Sequence, residues 1–202
     1  SESPWFNYAT AGPSAGTEWM TRADLKVSHR LTGYIRLKSR TKGTKTAQKN
    51  LTLNGTETRD NLRIQADYTL NDMLILHTRA EMIRVKSPSV ENGLMLCQDL
   101  TWTPRHHPFS SAFRIAWFKT ASYSTRIYAF ENDLLYAFSS SSFFGNGIRT
   151  YINARGRISD HLDLWCKVAN TTWFDRDKIS SGYAEIDNNS RTELKVQLRW
   201  KF

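Results

Sequence analysis

From Leu194 onward, every second residue is apolar: Leu194, Val196, Leu198, Trp200 and Phe202 alternate with Lys195, Gln197, Arg199 and Lys201. Period-two alternation fits an extended strand with one apolar and one charged face, because a helix would bring residues three and four apart onto one side. In an ordinary half-buried sheet the polar face is mixed. Here it is dense in charge, and the apolar face closes on two aromatics. Both features suit a strand with lipid on one side and water on the other.

The same pattern recurs along the chain. Trp19, Thr21, Ala23, Leu25 and Val27 oppose Glu18, Met20, Arg22, Asp24 and Lys26, and Ile35 and Leu37 oppose Arg36, Lys38 and Arg40. Leu62, Ile64, Ala66, Tyr68 and Leu70 oppose Arg63, Gln65, Asp67 and Thr69, then Leu74, Leu76, Thr78, Ala80 and Met82 oppose His77, Arg79 and Glu81. Leu94, Leu96, Leu100 and Trp102 face away from Cys97, Asp99, Thr101 and Thr103, and Phe113, Ile115 and Trp117 away from Arg114, with Phe118 out of phase. Ile148, Ile152 and Ile158 oppose Arg149, Tyr151, Asn153, Arg155 and Arg157, and Leu162, Leu164, Cys166 and Val168 oppose Asp163, Trp165 and Lys167. No helical 3.6-residue period along the chain competes with this strand reading.

Connections between these strands alternate in length. Ser28–Thr32, Asn71–Met73, Pro104–Ser110 and Ser159–His161 are short; Thr41–Asp60, Ser87–Gly93, Lys119–Asn146 and Asp175–Ser190 are long and polar. Outer-membrane barrels have short periplasmic turns and longer extracellular loops. The rule holds only if Thr125–Phe138 is a hairpin excursion within a loop rather than a crossing. It puts the carboxyl terminus on the periplasmic side, with Tyr68, Trp102, Phe113, Trp200 and Phe202 in an outward girdle there and Trp19 and Trp117 at the opposite interface. Nine strands are odd where single-chain bacterial barrels are even, so Trp5–Tyr8 reads as the remnant of another strand.

Composition agrees with this. The 202 residues carry seven Trp, eight Tyr and ten Phe, and no apolar run reaches the length of a membrane helix. A crossing strand needs only about 9–11 residues, half of them polar. The net charge of +9 points to anionic partners, with its local concentration at Lys38, Arg40, Lys42, Lys45 and Lys49. A solvated loop is the first reading of that stretch and lipid phosphate the second. The chain opens on Ser1 without a signal-peptide pattern, as expected of a mature form or a fragment.

Candidate chemistry is sparse. Cys97 and Cys166 fall on opposite faces of non-adjacent strands and are expected to stay unpaired. His77 is isolated, His106 and His107 share a turn, and neither serine-hydrolase nor phosphate-loop signatures occur. No cofactor, metal or catalytic group is expected. Glu131 and Asp133 share one face of an extended segment and could resemble an acid pair, but loop-fixing hydrogen bonds are the favoured reading. More weight rests on a ladder of inward charges: Arg22, Asp24, Lys26, Arg36, Arg63, Asp67, Arg79, Glu81, Asp99, Arg149, Arg155, Arg157, Lys167, Lys195 and Arg199, with Glu18, Arg114, Asp163 and Glu193. A cross-strand salt-bridge lattice is the first reading, and an anion-favouring pore the second.

Three segments, Arg126–Ser139 (RIYAFENDLLYAFS), His161–Trp165 (HLDLW) and Glu193–Phe202 (ELKVQLRWKF), resemble the carboxyl-terminal barrel of large Bacteroidota outer-membrane proteins, often labelled helix-hairpin-helix or competence-protein-like. The resemblance implies no catalytic residues. It implies that Leu194, Val196, Leu198, Trp200 and Phe202 form the signal read by the barrel-assembly machinery. The expected fold is all-β: an antiparallel up-and-down transmembrane β-barrel of about 9–10 strands, or the carboxyl-terminal portion of a larger one, with residues 1–202 as a single region. The expected setting is the outer membrane of a Gram-negative bacterium, with lipid and lipopolysaccharide as partners, a pore, transport or structural role, and no nucleic acid. The alternative is a soluble basic all-β module that binds nucleic acid or another polyanion. Against it, aromatic and basic residues segregate to opposite faces, whereas base stacking with phosphate contact needs them side by side.

Overall fold

The computed structural model describes residues 2–3, 14–48, 51–180 and 182–202. Strands β3 (Thr17–Lys26), β4 (Leu31–Gln48), β5 (Leu51–Asn71), β6 (Leu74–Lys86), β7 (Val90–Trp102), β8 (Phe109–Thr120), β11 (Asn146–Ser159), β12 (Leu162–Trp173) and β13 (Ser190–Trp200) build one antiparallel sheet of nine strands. Its order, β13-β12-β11-β8-β7-β6-β5-β4-β3, follows the chain throughout. The single interruption is the hairpin β9 (Ile127–Glu131) with β10 (Ser139–Phe143), inserted between β8 and β11 as a sheet of its own. A two-residue pairing joins β1 (Glu2–Ser3) to β2 (Ser14–Ala15).

All nine expected strands are present as an up-and-down meander, but the described sheet is open. Strands β3 and β13 are its edges and do not pair with each other, which corrects the expectation of closure for the residues described. The expected strand at Trp5–Tyr8 lies outside the described residues. At the other end, the final strand stops at Trp200; Lys201 N still donates to His161 O at 2.8 Å, and Phe202 is fully exposed.

The turns follow from their side chains. Asn71 Oδ1 accepts from Met73 N and Leu74 N, both at 2.9 Å, and Ser28 Oγ accepts from Leu31 N at 3.0 Å, each closing a short connection. Thr41–Asp60 is not a loop. The β4–β5 ladder runs on from Thr41↔Thr58 to Gln48↔Leu51, so the long connection is a projecting hairpin. Threonine and lysine recur in it at odd and even positions alike, which erases the alternation, while β-branched threonine still favours the extended backbone. Lys49 falls outside the described residues. Likewise, β7 begins at Val90, inside the segment expected to be a loop.

Register places all the expected charges on one face. Cross-strand neighbours such as Arg22↔Arg36↔Arg63↔Glu81 align directly, as do Arg157↔Asp163↔Arg199 and Lys167↔Lys195. The expected aromatics share the opposite face: Trp102 beside Leu74, Phe113 between Leu100 and Ile152, Trp117 between Leu96 and Ile148, and Trp200 beside Leu162. Burial is the reverse of that in an ordinary soluble sheet. Leu194, Leu198 and Trp200 are 68%, 64% and 61% exposed, whereas Asp163 and Glu81 on the charged face are 0% and 3% exposed.

Candidate functional site

The charged face is covered by the β9–β10 hairpin. From Ser124 to Asp133 the chain meets β5, β6, β8, β11, β12 and β13 in sheet order, through Arg59, Arg79, Arg114, Arg149, Lys167 and Lys195. It therefore runs across the strands as a strap. Residues Arg126 to Asp133 reach about 23 Å when extended, against about 29 Å for six strand spacings, and long Arg and Lys side chains bridge the difference.

Among the described residues, the edge of β9 away from β10 has no strand beside it, so its carbonyls need other donors. Arginines of the sheet supply them. Arg59 donates to Ser124 O at 2.7 Å and Arg126 O at 2.6 Å, Arg79 to Tyr128 O at 3.0 Å, and Arg114 to Phe130 O at 2.6 Å. Carboxylates on the sheet aim two of these arginines: Asp99 clamps Arg114 with two hydrogen bonds, and Glu81 binds Arg79 together with Arg63.

Odd-numbered side chains of β9 point into the sheet. Ile127 and Ala129, with Phe143 of β10, bury against Ile83, Val85, Met95, Cys97, Ala116 and Phe118. Phe118 meets Phe143 edge-to-face with ring centroids 5.4 Å apart. This explains why Phe118 breaks the alternation of its strand: it is an apolar residue on the polar face because the strap sits on it. Gly93 lies at the same contact, where a Cβ would stand 2.5 Å from Thr125 O. Cys97 is a buried free thiol in this cluster, and Cys166 is a free thiol on the other face.

Glu131, the next inward residue, is completely buried. Arg149 grips it with Nε at 2.6 Å and Nη2 at 3.0 Å, and Lys167 Nζ approaches at 3.0 Å. Lys167 also lies 3.6 Å from Asp133, which binds Lys195 Nζ at 2.7 Å and accepts from Ser139 and from Leu134 N. The pair thus fixes the strap, as the sequence favours, and does not stand as an acid pair over a cleft. Tyr151 lies beneath, its hydroxyl accepting from Asn132 N at 3.2 Å and its ring facing Lys167 Nζ at 4.8 Å.

Burial is the largest influence on both carboxyls and pushes their pKa values up. For Glu131 it is outweighed by the hydrogen bonds and charge of Arg149 with help from Ser141 and Lys167, and for Asp133 by Lys195, Ser139, Leu134 N–H and Lys167, so each falls to about 2. A lowered carboxyl stabilises the docked state above its free pKa and loses that contribution as pH falls through the docked value. Near-ultraviolet dichroism from the buried aromatics should therefore be constant from pH 8 to roughly 4.5, then collapse as the pH approaches about 2. A signal that changes between pH 5 and 7 would mean that other groups hold the strap.

Of the expected inward charges, the strap gathers Arg79, Arg114, Arg149, Lys167 and Lys195 directly, and Arg63, Glu81 and Asp99 through their partners. Arg199 and Arg157 converge instead on Asp163 with Lys201, and Arg155 and Arg199 flank the Trp165 ring, each at 5.3 Å. Asp67 pairs with His77, and Arg22 pairs with Asp24 at the exposed edge. Arg59 and Trp165 were not among the candidates. Arg59 stands in the stretch whose alternation is hidden, and Trp165 is an aromatic on the charged side. No protein-family model matches the chain, and neither the curated proteins nor the solved structures contain a match.

Proposed function

We propose that the chain is the membrane-embedded β-region of an outer-membrane protein, its apolar face against lipid and its charged face turned to a wet interior narrowed by the strap. The observation that carries this reading is the inverted burial: charges lie inside a lattice while Leu194, Leu198 and Trp200 stand outside. In water, so large an exposed apolar surface is a liability or an interface. In a bilayer it is the favoured arrangement, with paired strands satisfying every backbone group. The edges β3 and β13 would be completed by pairing beyond the described sheet.

On this reading the protein has no chemistry of its own. Its role is structural, or restricted passage past Glu131, Asp133 and their cations. Lipid and lipopolysaccharide are its surroundings, the barrel-assembly machinery reads its final strand, and its location is the outer membrane of a Gram-negative bacterium. The alternative, a basic module gripping nucleic acid, is disfavoured because the large exposed aromatics of the sheet share the face opposite the inward charges.

In a Gram-negative host the protein should sediment with the outer membrane, require detergent for extraction, and migrate faster unheated than boiled on a denaturing gel. Recovery as a dispersed, detergent-free protein would sink the reading. In planar bilayers, inserted protein should pass small discrete currents or none, and large porin-like currents would mean that the strap does not occupy the interior.

A further inference from the structure

We infer that a cleft between the strap and strands β4–β6 is a binding site for a phosphoryl-type oxyanion. It encloses about 400 Å³ and is lined by seven cationic side chains against the two carboxylates Glu57 and Glu81. Most of the cations are accounted for. Lys42 pairs with Glu57 at 2.9 Å and Arg63 with Glu81 at 2.9 Å, while Glu18 on the neighbouring strand takes Lys38 at 2.8 Å and Arg40 at 3.8 Å. Arg36, Arg59 and Arg126 remain, and among the described residues none of the three has a carboxylate within ion-pair distance.

Each of the three is held in place by neutral groups. Arg36 Nη2 donates to Asn61 Oδ1 at 3.3 Å, and its Nε is buried without a partner. Asn61 cannot turn away, since its Nδ2 donates to Glu81 Oε1 at 2.6 Å. Arg59 donates only to backbone carbonyls, Ser124 O and Arg126 O. Arg126 donates to Tyr123 O at 2.8 Å and Tyr128 Oη at 2.6 Å, with its guanidinium 4.1 Å from the Tyr123 ring centroid. Arg59 faces the like charge of Arg126, and Arg36 faces that of Arg63; a buried N–H left unpaired adds a further cost. A planar fork of donors suits the oxygens of phosphate, and a dianion would both relieve the repulsion and pair the idle donor. The inference goes beyond the membrane reading, because the cleft is built from the face that is polar whatever covers the other side.

Calorimetric titration of the purified full chain with inorganic phosphate, against a chloride background, tests it. A second arm uses phosphatidylcholine vesicles with and without a bis-phosphorylated lipid A, to separate a lipid headgroup from a free anion. Binding of phosphate, or of the lipid A vesicles alone, should weaken at least tenfold in Arg36→Gln and in Arg126→Gln. Arg105→Gln, at a turn outside the cleft, should bind as the wild type does. Either source supports the site provided that both cleft variants lose it while their dichroism spectra stay native. Absence of binding in both arms, or equal binding by Arg36→Gln, overturns it.

Discussion

Glu131→Gln should detach the β9–β10 strap from the sheet. The amide keeps the size and some hydrogen bonding of the carboxylate but removes the charge that Arg149 and Lys167 share. Both cations are buried, Lys167 at 2% exposure and Arg149 at 8%, so water cannot replace the lost partner without opening the contact. Removing one member of a buried ion pair typically costs about 3–5 kcal/mol, most of it from the charge left behind. Hydrogen exchange at the Ile127–Glu131 amides should therefore accelerate by on the order of a hundredfold or more. Adding Lys167→Met should recover part of the loss, because it removes a buried cation left with only the longer Asp133 contact at 3.6 Å. Unchanged exchange in Glu131→Gln would show that the apolar contacts alone hold the strap.

Phe118→Ala should be the most destabilising apolar truncation on the charged side. The ring is 1% exposed and fills the space under Phe143 and beside Met95 and Ala116. Truncating a buried phenylalanine costs about 3–5 kcal/mol, the range reflecting how far the neighbours collapse into the cavity. Phe113→Ala, five residues earlier on the opposite face, removes a ring that is 40% exposed and should cost less than about 2 kcal/mol in detergent. Urea unfolding of the two variants side by side decides the matter. Equal losses would mean that the strap does not pack on Phe118.

Much of the sheet is legible because side-chain direction in a strand is a local property. Leu194, Val196, Leu198 and Trp200 share a face in any extended backbone, and the same reasoning assigns Arg149, Lys167 and Arg199 to the other. Asn71 and Ser28 close their turns with side chains at most three residues away. Legibility fails where the period disappears. In Thr41–Asp60 threonine and lysine recur at odd and even positions alike, so a paired hairpin looks like a loop. In Ser139–Ser142 a serine run forms β10, because Ser139 to Ser142 pair with Glu131 to Tyr128.

The alternating residues by themselves determined nine strands, their up-and-down order and the division of charge from apolar surface, since each depends on neighbours in sequence. Only the tertiary structure decided where the hairpin goes. Its direction across β5 to β13 depends on Arg59, Arg79, Arg114, Arg149, Lys167 and Lys195, whose contacts with it span 16 to 67 residues of chain. A charge has no periodic preference for one distant partner over another. Register brings Lys167 beside Lys195, and the buried carboxylates of the strap make that pairing of like charges tolerable.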